Sequence, residues 1–242
     1  MQKPTIGVIG AQGSFGTYLY QRLKALGTVE VLGTEDKAHA REVIKQSDVV
    51  AIAVRPGQVT ELLSDIRGDL KPETVIVSFA AIYPLQRIAR ETRRPAARVL
   101  GDPDGWSCAY LTTERFPKDT LTPLLKGMYS KAVVEVGNEE EIDTYSVFLS
   151  YLLVVLLLRR EGKLSNAQQY LEYLSKEFKR LGVDATVDDL IAYPLEQEAQ
   201  LDKFATPGGI TERLMKLMQT NRPPEQIFQA AFEFVQEKRS QF

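Results

Sequence analysis

The stretch from Thr5 to Gly16, TIGVIGAQGSFG, constrains the fold of this chain more than any other. Its first half is a short apolar run rich in β-branched residues, which is typical of a strand buried on both faces. Its second half holds three glycines, each separated from the next by two residues, and leads into a helix predicted over Thr17–Leu23. A sharp strand-to-helix turn points backbone N–H groups and the positive end of the helix dipole at one place. The sequence therefore predicts a pyrophosphate site built from Gly10, Gln12, Gly13, Ser14, Phe15 and Gly16.

Strands and helices alternate along the first half of the chain. Further strands are predicted over 28–33, 48–54, 74–80, 97–100 and 132–136, and further helices over 58–66 and 84–91. This alternation predicts an α/β domain with a parallel sheet and helices on both faces.

From Glu139 onward the pattern is helical only, with breaks at glycines and prolines. We therefore predict two domains, an α/β domain over 1–137 and an all-helical domain over 138–242. The helix predicted over Ser146–Leu158 is apolar on every side. A helical domain of about 100 residues hardly has enough chain to cover such a helix, so we expect a partner subunit to cover part of it.

The 242-residue composition is that of an ordinary globular protein, with 44% hydrophobic residues and a net charge of −2. This charge gives no reason to expect nucleic acid or an acidic membrane as a partner. A single cysteine, and a start that runs directly into a core strand instead of a signal peptide, lead us to expect a cytoplasmic protein. The apolar run over 145–158 is too short to span a bilayer comfortably, so we interpret it as a buried helix.

The second strand ends where the adenosine ribose of a dinucleotide would lie. Glu35 and Asp36 follow it and would suit the ribose hydroxyls of NAD, whereas Thr34 with Lys37, or Arg41 one turn later, would suit the phosphate of NADP. The same residues would also make an ordinary acidic helix start. We predict NAD or NADP as the cofactor, with NAD slightly favoured.

Two more strand ends lie at the same predicted edge of the sheet. Val54, Arg55 and Pro56 follow one buried strand, where Arg55 would contact phosphate or ribose, or where the segment is simply a tight turn. Ala80 ends the next strand within Ser78–Ala81, whose small residues would leave room for a nicotinamide ring.

Residues for acid–base or metal chemistry are few. His39 is the single histidine and lies in a charged stretch, and Cys108 is more typical of a packed thiol than of a nucleophile. We therefore expect neither a Ser-His-Asp triad nor a metal site. A hydride-transfer enzyme can work with so few acid–base residues, because its cofactor carries the difficult chemistry.

The segment FATPGGITERLMKLM near the C-terminus predicts a helix–loop–helix corner. In one interpretation Thr211 only caps the second helix; in the other, the helix start binds a carboxylate or a small polar substrate. The predicted substrate contacts are Thr206, Gly208, Gly209 and Thr211.

Four segments together resemble the pyrroline-5-carboxylate reductase family. Ile6–Gly10 is similar to its opening motif, Asp48–Val59 to its strand with an "aV(K/R)P" signature, Thr74–Ala81 to its "vvSiaAG" strand, and Thr206–Thr211 to its "SPGGTT" segment. The matches run in the same order along almost the whole chain.

The resemblance implies a Rossmann-type, doubly wound N-terminal domain and an all-α domain that forms a homodimer by interleaving with its twin. It also implies NAD(P)H-dependent reduction of a small cyclic imine, with Thr211 at the position of a threonine that hydrogen-bonds the ring nitrogen of the substrate. Alternatives are a dehydrogenase for another small imine, carbonyl or hydroxy compound, or a dinucleotide-binding protein that has lost catalysis.

The chain also departs from the family. Its glycine loop is one residue longer than GxGxxG, the "GSgPAY" segment has no clear counterpart, and Ile210 replaces the first threonine of "GGTT". Two aspartates, Asp102 and Asp104, occupy the family's "mPNtP" segment. We hypothesise that these aspartates favour a cationic substrate, such as a protonated imine.

Overall fold

The computed structural model describes residues 3–34, 37–102, 104–195, 208–220 and 222–242. The chain divides into two compact units, the first ending at Glu139 and the second beginning at Glu140. The first unit alternates strands and helices, with bounds β1 Thr5–Ile9, α1 Ser14–Ala25, β2 Glu30–Gly33, α2 Lys37–Gln46, β3 Val49–Ile52, α3 Pro56–Ile66, β4 Val75–Ser78, α4 Leu85–Thr92, β5 Ala96–Gly101, β6 Ser107–Thr112, α5 Lys118–Met128 and β7 Ala132–Glu135.

The strands form one seven-stranded sheet in the order β2-β1-β3-β4-β5-β6-β7. Strands β1 to β5 are parallel, as the sequence predicts, so their carboxyl ends share one edge. Strand β6 pairs antiparallel with β5, and β7 runs parallel to β6, so the sheet is mixed instead of wholly parallel. The chain moves from β1 to β2 on one side and then returns to β3 on the other. The carboxyl ends of β1 and β3 are therefore the topological switch point of the sheet.

Helices cover both faces of this sheet. The main hydrophobic core joins alternate residues of β1, β3, β4, β5 and β6 to the apolar sides of α1 and α5, including Leu19, Leu23, Leu121 and Leu125. Helix α2 lies over the other face, where a Cβ atom at Gly7 would come 2.8 Å from Val43 Cγ1. Consecutive crossovers on opposite faces follow from the right-handed β-helix-β connection.

Strand β6 and helix α5 are absent from the sequence-based prediction, and helix α2 is present there only as one alternative for the residues after β2. Strand β6, SCAYLT, contains serine, cysteine and alanine, which have weak β preference, and its place is decided by pairing with β5 and β7. Helix α5 contains Pro123 and Gly127, which usually indicate an interruption. Its buried residues Leu121, Leu125 and Met128 nevertheless recur at helical spacing.

The second unit contains helices and connecting turns, and no strand, among the residues that the structure describes. Helix α6 Glu139–Arg160 begins at the end of the first unit, and it is followed by α7 Ala167–Arg180, α8 Val187–Ile191, α9 Ile210–Met218 and α10 Pro224–Arg239. Aromatic rings pack α6 against its neighbours: Phe148 stacks on Phe228 of α10 with ring centroids 4.4 Å apart, and Tyr145 meets Phe178 of α7 at 6.1 Å. Asp143, fully buried on α6, pairs with Arg239 of α10 at 2.8 Å.

Helix α6 is covered within a single chain. No residue of its 141–158 segment is exposed, and eleven of its side chains are buried. Most of this helix is thus covered within one chain, and the expectation that a partner subunit covers part of it stays a prediction for its half-buried residues. The helix is long and apolar enough to cross a membrane by length and composition, but 61% of that stretch is buried, as in the core helix of a globular protein.

Candidate nucleotide-binding site

The glycine turn lies at the switch point of the sheet, between the carboxyl end of β1 and the start of α1. Gly10 has φ = +88°, a backbone conformation that side chains other than glycine rarely adopt. The N–H of Gly13 donates to the carbonyl of Gly10 at 2.9 Å, and that of Thr17 donates to Gly13 at 2.8 Å. These two bonds close the turn and direct the chain into the helix.

The start of α1 is open in the way an anion site requires. The helix begins at Ser14 with Gly13 as its N-cap, and no side chain caps it, so the N–H groups of its first turn face outward. Gly16 allows the helix to approach the strand, because a Cβ atom there would lie 1.8 Å from the carbonyl oxygen of Gly10. A Cβ atom at Gly13 would come no closer than 3.3 Å to that oxygen. The tightest constraint of the turn is thus at Gly16.

A cavity of about 310 Å³ opens beside the turn. It brings together five of the residues that the sequence predicts for the cofactor, together with groups from α2 and α3; the lining residues are Ile9, Gly10, Gln12, Gly13, Thr34, Ala40, Arg41, Val54, Gln58, Glu61, Leu62, Asp65 and Ile66. Its volume is at the lower end of the range for small-molecule sites. Sequence reasoning missed the α3 residues, because only the fold places that helix against the glycine turn.

Thr34 connects the second strand to this turn. Its N–H extends the pairing of β2 by donating to Val8 at 3.3 Å, and its buried hydroxyl accepts from the N–H of Gly10 at 3.4 Å. The structure therefore gives Thr34 a role in holding the turn. Glu35 and Asp36, the predicted ribose ligands, lie outside the described residues.

Arg55 and Pro56 occupy the end of β3, as predicted, but they do not line the cavity. Arg55 is the N-cap of α3 and Pro56 its first residue, a position that suits the fixed φ of proline. The Arg55 side chain is exposed and makes no hydrogen bond or ion pair with any described residue. It is a cation available at the carboxyl edge of the sheet.

The end of β4 differs from the expected arrangement of small side chains around an open space. Ser78 and Ala80 are buried, with the N–H of Ala80 donating to Ser78 Oγ at 3.3 Å, so neither side chain contributes to the surface. The surface is formed instead by half-buried Phe79, whose ring packs against that of Phe15 at 5.6 Å between centroids. This aromatic pair covers the carboxyl edge on the α1 side.

Just beyond this pair the backbone is strained. Ile82 has φ = +60°, which is unfavourable for a β-branched side chain, and the N–H of Tyr83 donates to Ala81 at 2.8 Å across it. Strained residues of this kind concentrate at functional sites.

The short β5–β6 hairpin gives Asp102 a structural role. Its buried carboxylate accepts the backbone N–H groups of Trp106 at 3.0 Å and Ser107 at 2.6 Å. Arg22 of α1 donates to the backbone carbonyl of Asp104 at 2.5 Å, which fixes the hairpin to the helix. Both oxygens of Asp102 are used in closing the hairpin, and the hypothesis that Asp102 and Asp104 favour a cationic substrate stays a prediction.

The remaining reactive groups give little acid–base capacity. Burial, with a smaller contribution from Asp102, raises the pKa of the Cys108 thiol far above its usual value, so the thiol stays protonated. His39 is exposed on α2. Within the described part of the chain, no three His, Cys, Asp or Glu side chains lie close enough together to hold a metal ion.

The second unit presents the other predicted residues at the start of α9. Gly208 has φ = +71°, and its N–H donates to Glu212 at 2.6 Å; Gly209 is the N-cap. The helix begins one residue earlier than predicted, so Thr211 is inside its first turn and is not its cap. Thr211 is buried, and its hydroxyl makes no hydrogen bond with another described residue. Thr206 lies outside the described residues.

The Glu212 carboxylate interacts with groups of its own helix and of the turn before it. Hydrogen bonding to Lys216 and to the N–H of Gly208 lowers the pKa of the half-buried Glu212 carboxyl below its usual value. Glu212 therefore stays charged near neutral pH and stabilises the positive end of α9.

Solved structures show which proteins share this fold. The chain superposes on a pyrroline carboxylate reductase of Plasmodium falciparum with NADP bound, at a TM-score of 0.63 and 16% identity, over 99% of this chain and 98% of that one. It superposes on a pyrroline-5-carboxylate reductase of Coxiella burnetii at 0.59 and 17% identity, with the same coverage. A 3-hydroxyisobutyrate dehydrogenase of Mycobacterium tuberculosis gives 0.53 and 13% identity, over 99% and 94% of the two chains.

The fold is therefore the two-part architecture of a class of reductases and dehydrogenases, a Rossmann-type domain followed by an all-α region. The pyrroline-5-carboxylate reductases, which the sequence motifs resemble, are among the proteins that have this fold. No protein-family model matches the sequence.

Proposed function

We propose that this protein is an NAD(P)H-dependent reductase of a small cyclic imine, similar to pyrroline-5-carboxylate reductase. The observation that carries the proposal is the uncapped glycine turn at the switch point, which opens onto the cavity beside it. Support comes from the likeness to two pyrroline carboxylate reductases over nearly the whole chain, one of them solved with NADP.

The residues present fit a dinucleotide. A Cβ atom at Gly16 would fill the space that brings α1 onto β1, and Gly10 takes the positive φ that a tight phosphate turn needs. When bound, the nicotinamide nucleotide supplies the hydride. The N–H groups at the start of α1 hold its pyrophosphate, Thr34 keeps the turn in place, and the Arg55 cation attracts phosphate to the edge of the sheet.

Other residues in this proposal orient the substrate and shield it from water. The Phe15 and Phe79 rings provide an apolar wall that keeps water from one side of the reacting groups. The Thr211 hydroxyl, which is not used in any bond among the described residues, hydrogen-bonds the imine nitrogen, in the role that the family resemblance implies. Catalysis in this proposal comes mainly from orientation, because no strong acid–base residue lies at this edge of the sheet among the described residues.

The test is loss of absorbance at 340 nm with NADH or NADPH and pyrroline-5-carboxylate. Thr211→Ala should lower kcat/KM about tenfold, the effect of one lost hydrogen bond, and Thr211→Ser should restore most of it. Thr220→Ala, which removes a hydroxyl just beyond the other end of α9, is the matched control and should leave kcat/KM unchanged.

A second candidate is a dinucleotide-binding protein that has lost this activity, or a dehydrogenase for another small imine, carbonyl or hydroxy compound. The short hairpin closed by Asp102 favours it, because it replaces a family segment expected near the substrate. The fold itself also accommodates a 3-hydroxyisobutyrate dehydrogenase. Tight nucleotide binding without oxidation by pyrroline-5-carboxylate or other cyclic imines would favour this candidate.

We also propose a homodimer formed through the C-terminal helices, in the cytoplasm. Half-buried Phe228 and Phe232 stack on the surface of α10 and would supply apolar area for such a contact. Light scattering coupled to gel filtration should give a mass of about twice 27.2 kDa. A monomer at micromolar concentration would contradict the dimer without affecting the proposed reaction.

A further inference from the structure

The cavity beside the glycine turn has an unusual balance of charge. Arg41 from α2 is the one cation among its described lining residues, and α3 contributes two carboxylates, Glu61 and Asp65. NADP differs from NAD by a phosphate on the adenosine ribose, and sites that accept this phosphate usually hold it with arginine. Arg41 is therefore the group in this cavity that would recognise it.

Arg41 is held by a carboxylate outside the cavity. Its Nε atom lies 3.6 Å from Oδ2 of Asp69, a residue that follows the end of α3. The second oxygen of Asp69 forms an ion pair with Nζ of Lys45, one turn further along α2, at 3.3 Å. Asp69 is well placed for this role, because its side chain is only 18% exposed and its N–H donates to Ile66 at 2.9 Å.

We infer that Asp69 is a positioning residue that sets the preference between NADH and NADPH by holding the guanidinium of Arg41. This inference rests on the proposed nucleotide site. While Arg41 is paired with Asp69, an incoming phosphate must compete with that carboxylate for the charge of the guanidinium. Without that carboxylate, Arg41 is free to meet the phosphate, although Glu61 and Asp65 still oppose its charge.

The size of the effect follows from the exposure of the pair. The Arg41 side chain is 64% exposed, and ion pairs at such positions are weak enough to exchange. Asp69→Asn should therefore raise the affinity for NADPH about three- to fivefold and leave the affinity for NADH unchanged. Arg41→Ala should lower the affinity for NADPH and leave that for NADH unchanged.

Because Asp69 acts through Arg41, the two substitutions should not add. In the Arg41→Ala background, Asp69→Asn should have no further effect on NADPH affinity. A purely structural role for Asp69 would instead weaken both nucleotides in either background. Lys45→Gln removes the other partner of Asp69 and should not raise NADPH affinity, since Arg41 then keeps the carboxylate to itself.

Removing any negative charge from the protein slightly raises its affinity for an anionic ligand, so a matched control is needed. Glu42→Gln makes the same charge change on the residue next to Arg41, at an exposed position of α2 that does not line the cavity. It should leave the NADPH-to-NADH affinity ratio near that of the unaltered protein.

The measurement is the equilibrium fluorescence of NADH and NADPH titrated with each full-length variant, without substrate. An increase with Asp69→Asn that equals the one with Glu42→Gln, or that persists without Arg41, would overturn the inference and leave the proposed reductase intact. If neither nucleotide binds to the unaltered protein, the proposed function and the inference both fail. Binding without turnover would leave the inference standing and remove only the reductase.

Discussion

A buried ion pair at the end of the first unit should be a main determinant of its stability. Arg98 lies on β5 with its side chain fully buried, and its guanidinium pairs with Glu139, the first residue of α6. The same carboxylate accepts the N–H of Leu85 at the start of α4, at 2.6 Å. Glu139→Gln removes the negative charge but keeps an oxygen that can accept one of these bonds.

The expected loss in the free energy of unfolding depends on how deeply the remaining ion, Arg98, is buried. Breaking a buried pair costs about 3–5 kcal/mol, because the remaining ion stays away from water. Glu139 is 24% exposed, so water screens part of the attraction and the lower end, about 3 kcal/mol, is expected. For a chain of this size the loss corresponds to a fall in Tm of roughly 6–12 °C.

The assay is urea unfolding followed by the fluorescence of Trp106. This is the single tryptophan of the chain, it is only 6% exposed, and it belongs to the same unit as the pair, so its signal reports that unit. Glu140→Gln, the same change at the adjacent exposed residue, is the control and should stay within about 0.5 kcal/mol of the unaltered protein.

A double variant separates the charge from the packing. Arg98→Met with Glu139→Gln removes both charges, keeps an acceptor for the N–H of Leu85, and should recover most of the loss. The reasoning would be refuted if Glu139→Gln matched the Glu140→Gln control. It would also be refuted if the second substitution lowered the free energy of unfolding further, as an independent loss would, instead of raising it.

Three further results are expected. Gly16→Ala should lower nucleotide affinity more than tenfold and reduce the free energy of unfolding by about 3 kcal/mol, because its Cβ would overlap a backbone oxygen. Gly57→Ala, with open space around it, is the control and should change neither quantity. Equal effects of the two substitutions would contradict the turn geometry. Cys108 should not react with a thiol reagent at pH 8 in the folded protein and should release one equivalent after unfolding, because its raised pKa and burial keep it protonated and inaccessible; fast reaction in the folded state would oppose this. Asp102→Ala should cost about 1–3 kcal/mol in urea unfolding by leaving two hairpin N–H groups unpaired, and an unchanged midpoint would show that the hairpin closes without it.

Much of the fold could be predicted because its signals are local. The apolar run of β1, the glycines and the amphipathic start of α1 all lie within about 20 residues, so periodicity and turn chemistry together specify the strand–turn–helix unit. Strand β6 carries no such signal. Its residues form a strand because β5 and β7 lie on either side and leave its backbone groups no other partners.

The candidate site could be predicted only in part. Gly10, Gly16 and Thr34 could be placed at the strand–turn–helix corner because their positions follow from the ends of strands. The role of Asp102 in the hairpin could not be predicted, because a charged residue at a strand end has the same sequence signature whether it faces a ligand or closes a hairpin. Phe79 was overlooked among small residues, since its contact with Phe15 joins two distant turns.

The sequence by itself determined the strand–turn–helix unit that begins the chain and the change from alternating to helical periodicity, because both depend on residues close together along the backbone. The tertiary structure decided which charges meet. Arg98 pairs with Glu139, which lies 41 positions further along the chain, and Arg41 pairs with Asp69, which lies beyond the next helix. Coulomb attraction acts through space, and only the folded sheet brings those side chains within a few ångströms of each other.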